Sequence, residues 1–302
     1  MNVFVAGASG AIGRPLITEL IQQGYSVTGL TRSESGAKRL QELGASVAVA
    51  DIFDIDAVKA AIKASKAEVV IDELTSLPKS PAEMSQSVQK DREVRIDGGR
   101  NLIEAAEACG VRRYIQQSSG FFLHPGDGLA DESVGMVVDA SPRVSFSASS
   151  YEELESRLAK RTSLEPVALR YGFFYGPLTW YHPDGACADQ ARRQELAIIG
   201  QGQAVWSWVH IEDAAHATVS ALSAPAGVYN IVDDDPSPVS VWLPAFAKFV
   251  AAPQPPTISV DEARKTGGED AIYYGTKLRG ASNQKAKTTF GFQPRRLEWL
   301  ER

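Results

Sequence analysis

The stretch Asn2-Val-Phe-Val-Ala6-Gly7-Ala8-Ser9-Gly10-Ala11-Ile12-Gly13 carries an apolar run straight into three glycines, each separated by two residues. Residues 3–6 read as a buried parallel strand and residues 11–23 as the helix that follows it. In this context each glycine has a task. Gly7 allows the sharp turn, Gly10 lets a pyrophosphate approach the backbone, and Gly13 lets helix pack on strand. Ser9, Ala11 and Ile12 complete the turn and the helix amino terminus, whose free N–H groups face the phosphates. The strand–turn–helix setting makes this a dinucleotide site rather than a chance run of glycines.

The second strand, over 25–31, says which dinucleotide. It ends on Thr31-Arg32-Ser33, where an NAD site usually has an acid for the ribose hydroxyls. No Asp or Glu occurs from residue 25 to residue 33, before Glu34. Arg32 can fork onto the oxygens of a 2′-phosphate and Ser33 can add a hydroxyl, so the expected cofactor is NADP(H). The competing possibility is that Arg32 is only a solvated loop charge.

Composition sets outer bounds. The chain has 302 residues, 44% of them hydrophobic, enough for one large α/β core and a smaller lobe. A net charge of −6 with no basic face argues against nucleic acid. Cys109 and Cys187 are too few for a disulfide framework and fit a reducing cytoplasm. Met1 leads directly into the first strand, so no signal peptide is expected, and no apolar run is long enough for a membrane span.

Strands and helices alternate along the chain, as a doubly wound parallel sheet requires. A third strand covers 45–50, and Asp51 to Asp54 open a helix through 65. A fourth strand covers 68–72, and a long helix about 85–109 contains Gly98-Gly99. A fifth strand covers 113–118, a helix 151–161, a sixth strand 166–170, a returning strand 228–232 and a helix 241–250. The Asp233-Asp234-Asp235 run reads as a solvated turn. The expected organisation is a Rossmann-type NADP-binding domain over 1–171, rejoined by about 206–250. A smaller C-terminal substrate lobe would be built from 172–205 and 251–302.

Several motifs in order make the chain resemble the extended short-chain dehydrogenases/reductases, the family of nucleotide-sugar epimerases and dehydratases. They are Gly7-x-x-Gly10-x-x-Gly13, Asp51-Ile52, Leu169-Arg170-Tyr171, Tyr175-Gly176-Pro177, Val209-His210-Ile211-Glu212-Asp213, Tyr229-Asn230 and Gly291-Phe292-Gln293-Pro294. The resemblance implies that Asp51 contacts the adenine amino group and that Ile52 packs on the base. It places Leu74 and Thr75 under the ribose, and Tyr171, Gly172 and Phe173 beside the nicotinamide. It puts a catalytic serine at Ser118 or Ser119, and leaves a homodimer open as the assembly.

The family's Tyr-x-x-x-Lys pair does not carry over. In Phe146-Ser-Ala-Ser-Ser-Tyr151-Glu-Glu-Leu-Glu155, Glu155 stands where the lysine should follow Tyr151. In the alternative register Tyr151 takes the lysine position and Ser147 the tyrosine position, and the short run from Glu155 to Arg170 favours this one. Either way the segment marks an atypical extended member. A replacement proton donor is expected in Tyr171-Gly-Phe-Phe-Tyr175-Gly-Pro-Leu-Thr-Trp180-Tyr181-His182, with Tyr181 foremost. Trp180, Tyr181 and His182, together with Tyr273, Tyr274 and Arg279, are the expected substrate contacts. Asp213 reads as a helix cap and His210 as a packing residue, and no His/Cys/Asp group has metal spacing.

The function expected from these residues is NADP-dependent hydride transfer to or from a carbonyl or alcohol of a small molecule. Ser118 or Ser119 would polarise the oxygen and a tyrosine would supply the proton. Sugar-nucleotide epimerisation or dehydration is the second possibility, and a non-catalytic NADP-binding regulator the third.

Overall fold

The structure, a computed structural model, describes residues 1–300. Six strands and six helices run in order: β1 (Asn2–Ala6), α1 (Gly13–Gln22), β2 (Ser26–Thr31), α2 (Glu34–Glu42), β3 (Ser46–Val49), α3 (Ile55–Ser65), β4 (Val69–Asp72), α4 (Met84–Glu93), α5 (Gly99–Ala108), β5 (Arg113–Ser119), α6 (Pro142–Ala159) and β6 (Glu165–Tyr171). Strand Gly227–Ile231 returns beside β6, giving the order Gly227–Ile231, β6, β5, β4, β1, β2, β3. All of its pairings are parallel. The chain therefore changes direction across the sheet between β1 and β4. Ligands of such sheets bind at the carboxyl ends of the strands beside that switch point.

A sheet buried on both faces needs apolar side chains on both. Val3, Val5, Val69, Ile71 and Ile115 pack under α1 and the Ile211–Ser220 helix, while Phe4, Val70 and Tyr114 pack under α3 and α5. Local capping sets where the helices begin. Asp54 accepts N–H bonds from Asp56 and Ala57 to start α3. Ser33 accepts from the Gly36 N–H to start α2, so the hydroxyl expected for a phosphate already serves as a cap. Among the described residues no helix is long and apolar enough to cross a membrane.

Four expectations are corrected. The long helix over 85–109 is interrupted by a π-turn at Val94–Gly98. Helix α6 begins at Pro142, well before 151, because the proline supplies a preformed first turn. Helix Val239–Phe249 packs Trp242, Leu243 and Phe246 into the second lobe, against Tyr181, Trp206 and Trp208, and not onto the Rossmann domain. Asp233 is buried rather than solvated, and Asp234 and Asp235 bind Lys287 and Arg296. The remainder of the expected second lobe, residues 251–300, joins the same aromatic cluster through Tyr273, Leu278 and Trp299, and residues 301–302 lie outside the described residues.

Helix α6 is fastened to the sheet by a buried ion pair. Glu155 Oε1 accepts from Ser118 Oγ at 2.5 Å and from Arg170 Nε at 2.8 Å, while Oε2 accepts from Arg170 Nη2 at 2.7 Å. Both charged side chains are largely shielded. Removing one partner strands the other, which costs about 3–5 kcal/mol at buried pairs. Chemical denaturation of Glu155→Ala should show a loss of that size, with less lost when Arg170 is replaced by Met in the same chain.

Candidate active site

The glycine turn forms as its sequence requires. Gly7 has φ +78°, and a Cβ there would stand 2.2 Å from the Glu73 carbonyl oxygen. At Gly13 a Cβ would meet the Ala8 carbonyl oxygen at 2.4 Å. Gly10 differs, because only the Gly7 carbonyl oxygen lies near its Cβ position, at 3.1 Å, and the residue is exposed. Gly7 and Gly13 thus serve the chain's own packing, and Gly10 keeps an open backbone face beside the start of α1. That open face is what a pyrophosphate needs. Gly10→Val should fold with a near-native melting temperature while losing dinucleotide binding in a fluorescence titration. Gly7→Ala should lose stability first.

Around this turn stand the other expected cofactor residues. Thr31 is buried at the end of β2, and the exposed Arg32 has neither ion pair nor hydrogen bond among the described residues. Asp51 accepts the Phe53 N–H, and Ile52 is buried against Gly98. Leu74 is half-buried, its N–H bound to Asp72, and Thr75 is exposed.

Beneath the turn lies a feature that no motif announced. Glu73 is 3% exposed, and its Oε2 has no partner. Tyr171 Oη lies 3.0 Å from Glu73 Oε1 and 2.6 Å from Thr218 Oγ1, while Thr218 donates to the Ala214 carbonyl. One phenol proton cannot serve both neighbours, and a protonated Glu73 completes the chain. Burial pushes its pKa from 4.5 up to about 8, with the Tyr171 bond opposing and the Asp72 charge adding. The folded state then keeps a proton that the unfolded chain has already lost, so stability falls as pH rises from about 4.5 to about 8. Glu73→Gln, which cannot ionise, should gain on the wild type steadily across that range in pH-dependent melting.

Tyr171 itself is a correction. Its phenol is turned into the core under α1 and the Ile211–Ser220 helix, so it cannot border a nicotinamide. Parity along the strands corrects Ser118 as well. Its hydroxyl faces α6 and is committed to Glu155, whereas Ser119 points to the other face, accepting only a 3.4 Å bond from the Phe121 N–H. Ser119 donates to no described residue, and it is itself 1% exposed.

Beyond the ends of β5 and β6 the chain builds an aromatic stack. Phe173 is stacked between Phe121 and Trp206, with centroids 4.1 and 4.0 Å away and planes within 20°. Gly172 lets this strand pass close to Ser207, since a Cβ would meet the Ser207 carbonyl oxygen at 2.6 Å. Tyr151 and Tyr274 add their rings beside Phe122. Neither phenol oxygen has a hydrogen-bond partner among the described residues, and neither is sealed from solvent. Desolvation raises both phenol pKa values. Helix α6 supplies Tyr151 and no lysine.

The other expected substrate residues divide. Trp180 Nε1 donates to the Pro78 carbonyl, joining the second lobe to the loop after β4. His182 is half-buried and accepts the Asp184 N–H. Tyr181 packs edge-on to Trp208, Trp242 and Phe246 with its phenol on the Cys187 thiol, and burial raises both groups' pKa values. It is part of the lobe's core. Tyr273 is 2% exposed, with no route to a ligand. Arg279 is consumed by the carbonyls of Asp127 and Gly128, which it ties into a loop. His210 is the cap of the Ile211–Ser220 helix, accepting from the Glu212 N–H through Nδ1, and Asp213 instead holds Arg295.

Sequence comparison gives this geometry its context. The sequence model of the NAD dependent epimerase/dehydratase family matches residues 3–232, and the chain belongs to that family. A 3-diazoavenalumate denitrifying reductase from a Streptomyces species is 36% identical over 304 residues, spanning 100% of this chain and 98% of its own. A 4-hydroxy-2-methyl-3-oxo-4-farnesyl-3,4-dihydroquinoline-1-oxide ketoreductase from Stigmatella aurantiaca is 24% identical, over 80% of this chain and 71% of its own. Among solved structures, the UDP-glucose 4-epimerase of Thermus thermophilus in complex with NAD superposes with a TM-score of 0.75 at 23% identity, covering 99% of this chain and 96% of its own.

Proposed function

We propose that the protein is an NADP(H)-dependent reductase that delivers hydride to an electron-poor carbon of a planar small molecule. The observation that carries this is the aromatic stack of Phe121, Phe173 and Trp206 at the carboxyl ends of the strands, on a site whose α6 offers Tyr151 without a lysine. Aromatic side chains near a site favour a flat, apolar substrate over a polyhydroxylated sugar. The glycine turn would hold the pyrophosphate and Arg32 the 2′-phosphate. When bound, the cofactor supplies the hydride.

A site without an activated tyrosine suits a reaction that needs no protein acid. Reductive removal of nitrogen from a diazonium carbon is one. A C–H bond forms from the hydride, the C–N bond breaks with its electron pair leaving on N2, and no proton is taken up. The name of the Streptomyces relative describes a reaction of this kind, and its similarity runs the length of the chain. The chain's own residues would then position and desolvate the acceptor. The aromatic stack would seat the ring beside it, and Tyr151 and Tyr274 would offer hydroxyl donors to its polar edge. Carbonyl reduction is the second reading, favoured by the free hydroxyl of Ser119 and by the name of the Stigmatella relative.

Stopped-flow absorbance of NADPH with an arenediazonium carboxylate, with N2 counted by mass spectrometry, tests this directly. One N2 per NADPH oxidised is expected, with Tyr151→Phe keeping most of the turnover. Ketone reduction abolished by Tyr151→Phe would replace this reading with a tyrosine-driven carbonyl reductase. In the same assay Arg32→Glu should move the preference from NADPH towards NADH. Equal wild-type affinities for the two would remove the phosphate-binding role of Arg32.

A further inference from the structure

The π-turn at Val94–Gly98 places a buried arginine beside Tyr151, whose helix carries Glu155 and not a lysine four residues on. Arg95 is 4% exposed, with Nε on Asp91 Oδ2 at 2.7 Å and Nη1 on Gln117 Oε1 at 3.3 Å. Its guanidinium lies over the Tyr151 ring at 5.1 Å from the centroid. The third nitrogen, Nη2, has no hydrogen-bond partner among the described residues and is not sealed in the core. An unused charged donor on an otherwise buried arginine is costly unless something binds it.

Its surroundings say what that is. Asp91, which holds Arg95, accepts the Ser76 N–H through its other oxygen at 2.6 Å. Arg95 is thereby tied to the segment directly after Leu74 and Thr75, at the carboxyl end of β4. Gln117 lies on β5, two residues before Ser119. Arg157 of α6 donates to the carbonyls of Ile96 and Arg95, which holds the π-turn in place. Three elements thus converge on the guanidinium and leave its Nη2 unpaired beside the Tyr151 ring, near the carboxyl ends of β4 and β5. A single extra residue in the helical turn is a common way of re-aiming a side chain at a functional site.

We propose that Arg95 binds the nicotinamide half of the dinucleotide, its free Nη2 donating to ribose oxygens there, and so supplies from the π-turn the cation that α6 does not place four residues after Tyr151. This rests on the dinucleotide-binding reading above. The role is one of holding cofactor and fixing Tyr151, not of moving a proton, since a guanidinium does not release one at ordinary pH.

The test separates the two halves of the cofactor. Binding of the preferred dinucleotide to the full chain is measured by fluorescence, beside binding of its adenylate half: 2′,5′-ADP if NADPH is preferred, 5′-ADP if NADH. Arg95→Lys keeps a charge opposite Asp91 but loses the planar fork. It should weaken the dinucleotide about 10–100-fold, as expected for a lost charged hydrogen bond, and leave the adenylate half unchanged. If its melting temperature shows misfolding, the pair Asp91→Asn with Arg95→Gln, which leaves no buried charge alone, makes the same measurement. Unchanged dinucleotide binding, or equal loss for both ligands, overturns the proposal. A wild type that binds no dinucleotide would instead overturn the reading on which it rests.

Discussion

The turn after β1 touches the end of β4 so closely that no side chain fits between them. A Cβ on Gly7 would sit 2.2 Å from the Glu73 carbonyl oxygen, well inside contact distance. This one approach fixes β1 against β4 at the point where strand order reverses, and aims the start of α1 across the gap that opens there. It also dictates what lies beneath. Glu73 is carried into the core by its backbone position, and its carboxyl can be tolerated there only in the neutral form. The buried acid is therefore a consequence of the turn that makes the dinucleotide site.

Much of this was legible in the sequence, for a definable reason. The glycine turn, the parallel strands and the returning strand at 227–231 depend on local spacing and apolar runs, which survive without knowledge of partners. What escaped were contacts set by strand parity and by distant residues. Ser118 and Ser119 are neighbours in sequence, yet one faces Glu155 and the other the opposite side of the sheet. Tyr171 falls on the same side as Ile231 and Leu169, and is lost to the core. Arg279 met a loop 150 residues away whose carbonyls it could satisfy. Arg95 gave no signal at all, because a π-turn is a one-residue adjustment that no periodicity reveals.

The aromatic stack has its own logic. Phe121, Phe173 and Trp206 stack in parallel, whereas the deeper rings, Tyr181, Trp208 and Trp242, meet one another edge to face. Edge-to-face packing fills a core and leaves no gap between planes. A parallel stack ending at a cleft presents a flat surface onto which another ring can continue. In the proposed function the same lobe uses two geometries of one residue class for two purposes, packing and recognition.

Charge placement points the same way. The carboxylates around the cleft are already engaged: Glu155 by Arg170, Asp91 by Arg95 and Ser76, and Glu73 within its hydroxyl chain. What remains without an acceptor are donors, namely the buried Ser119 hydroxyl, two phenols and Nη2 of Arg95. A cleft rich in donors and closed to bases cannot readily draw a proton from an alcohol, the step that oxidation of a sugar hydroxyl begins with. It can hold an electron-rich cofactor against an electron-poor acceptor and stabilise oxygen atoms that already carry lone pairs. Under the proposed reading the protein therefore contributes position in place of a base.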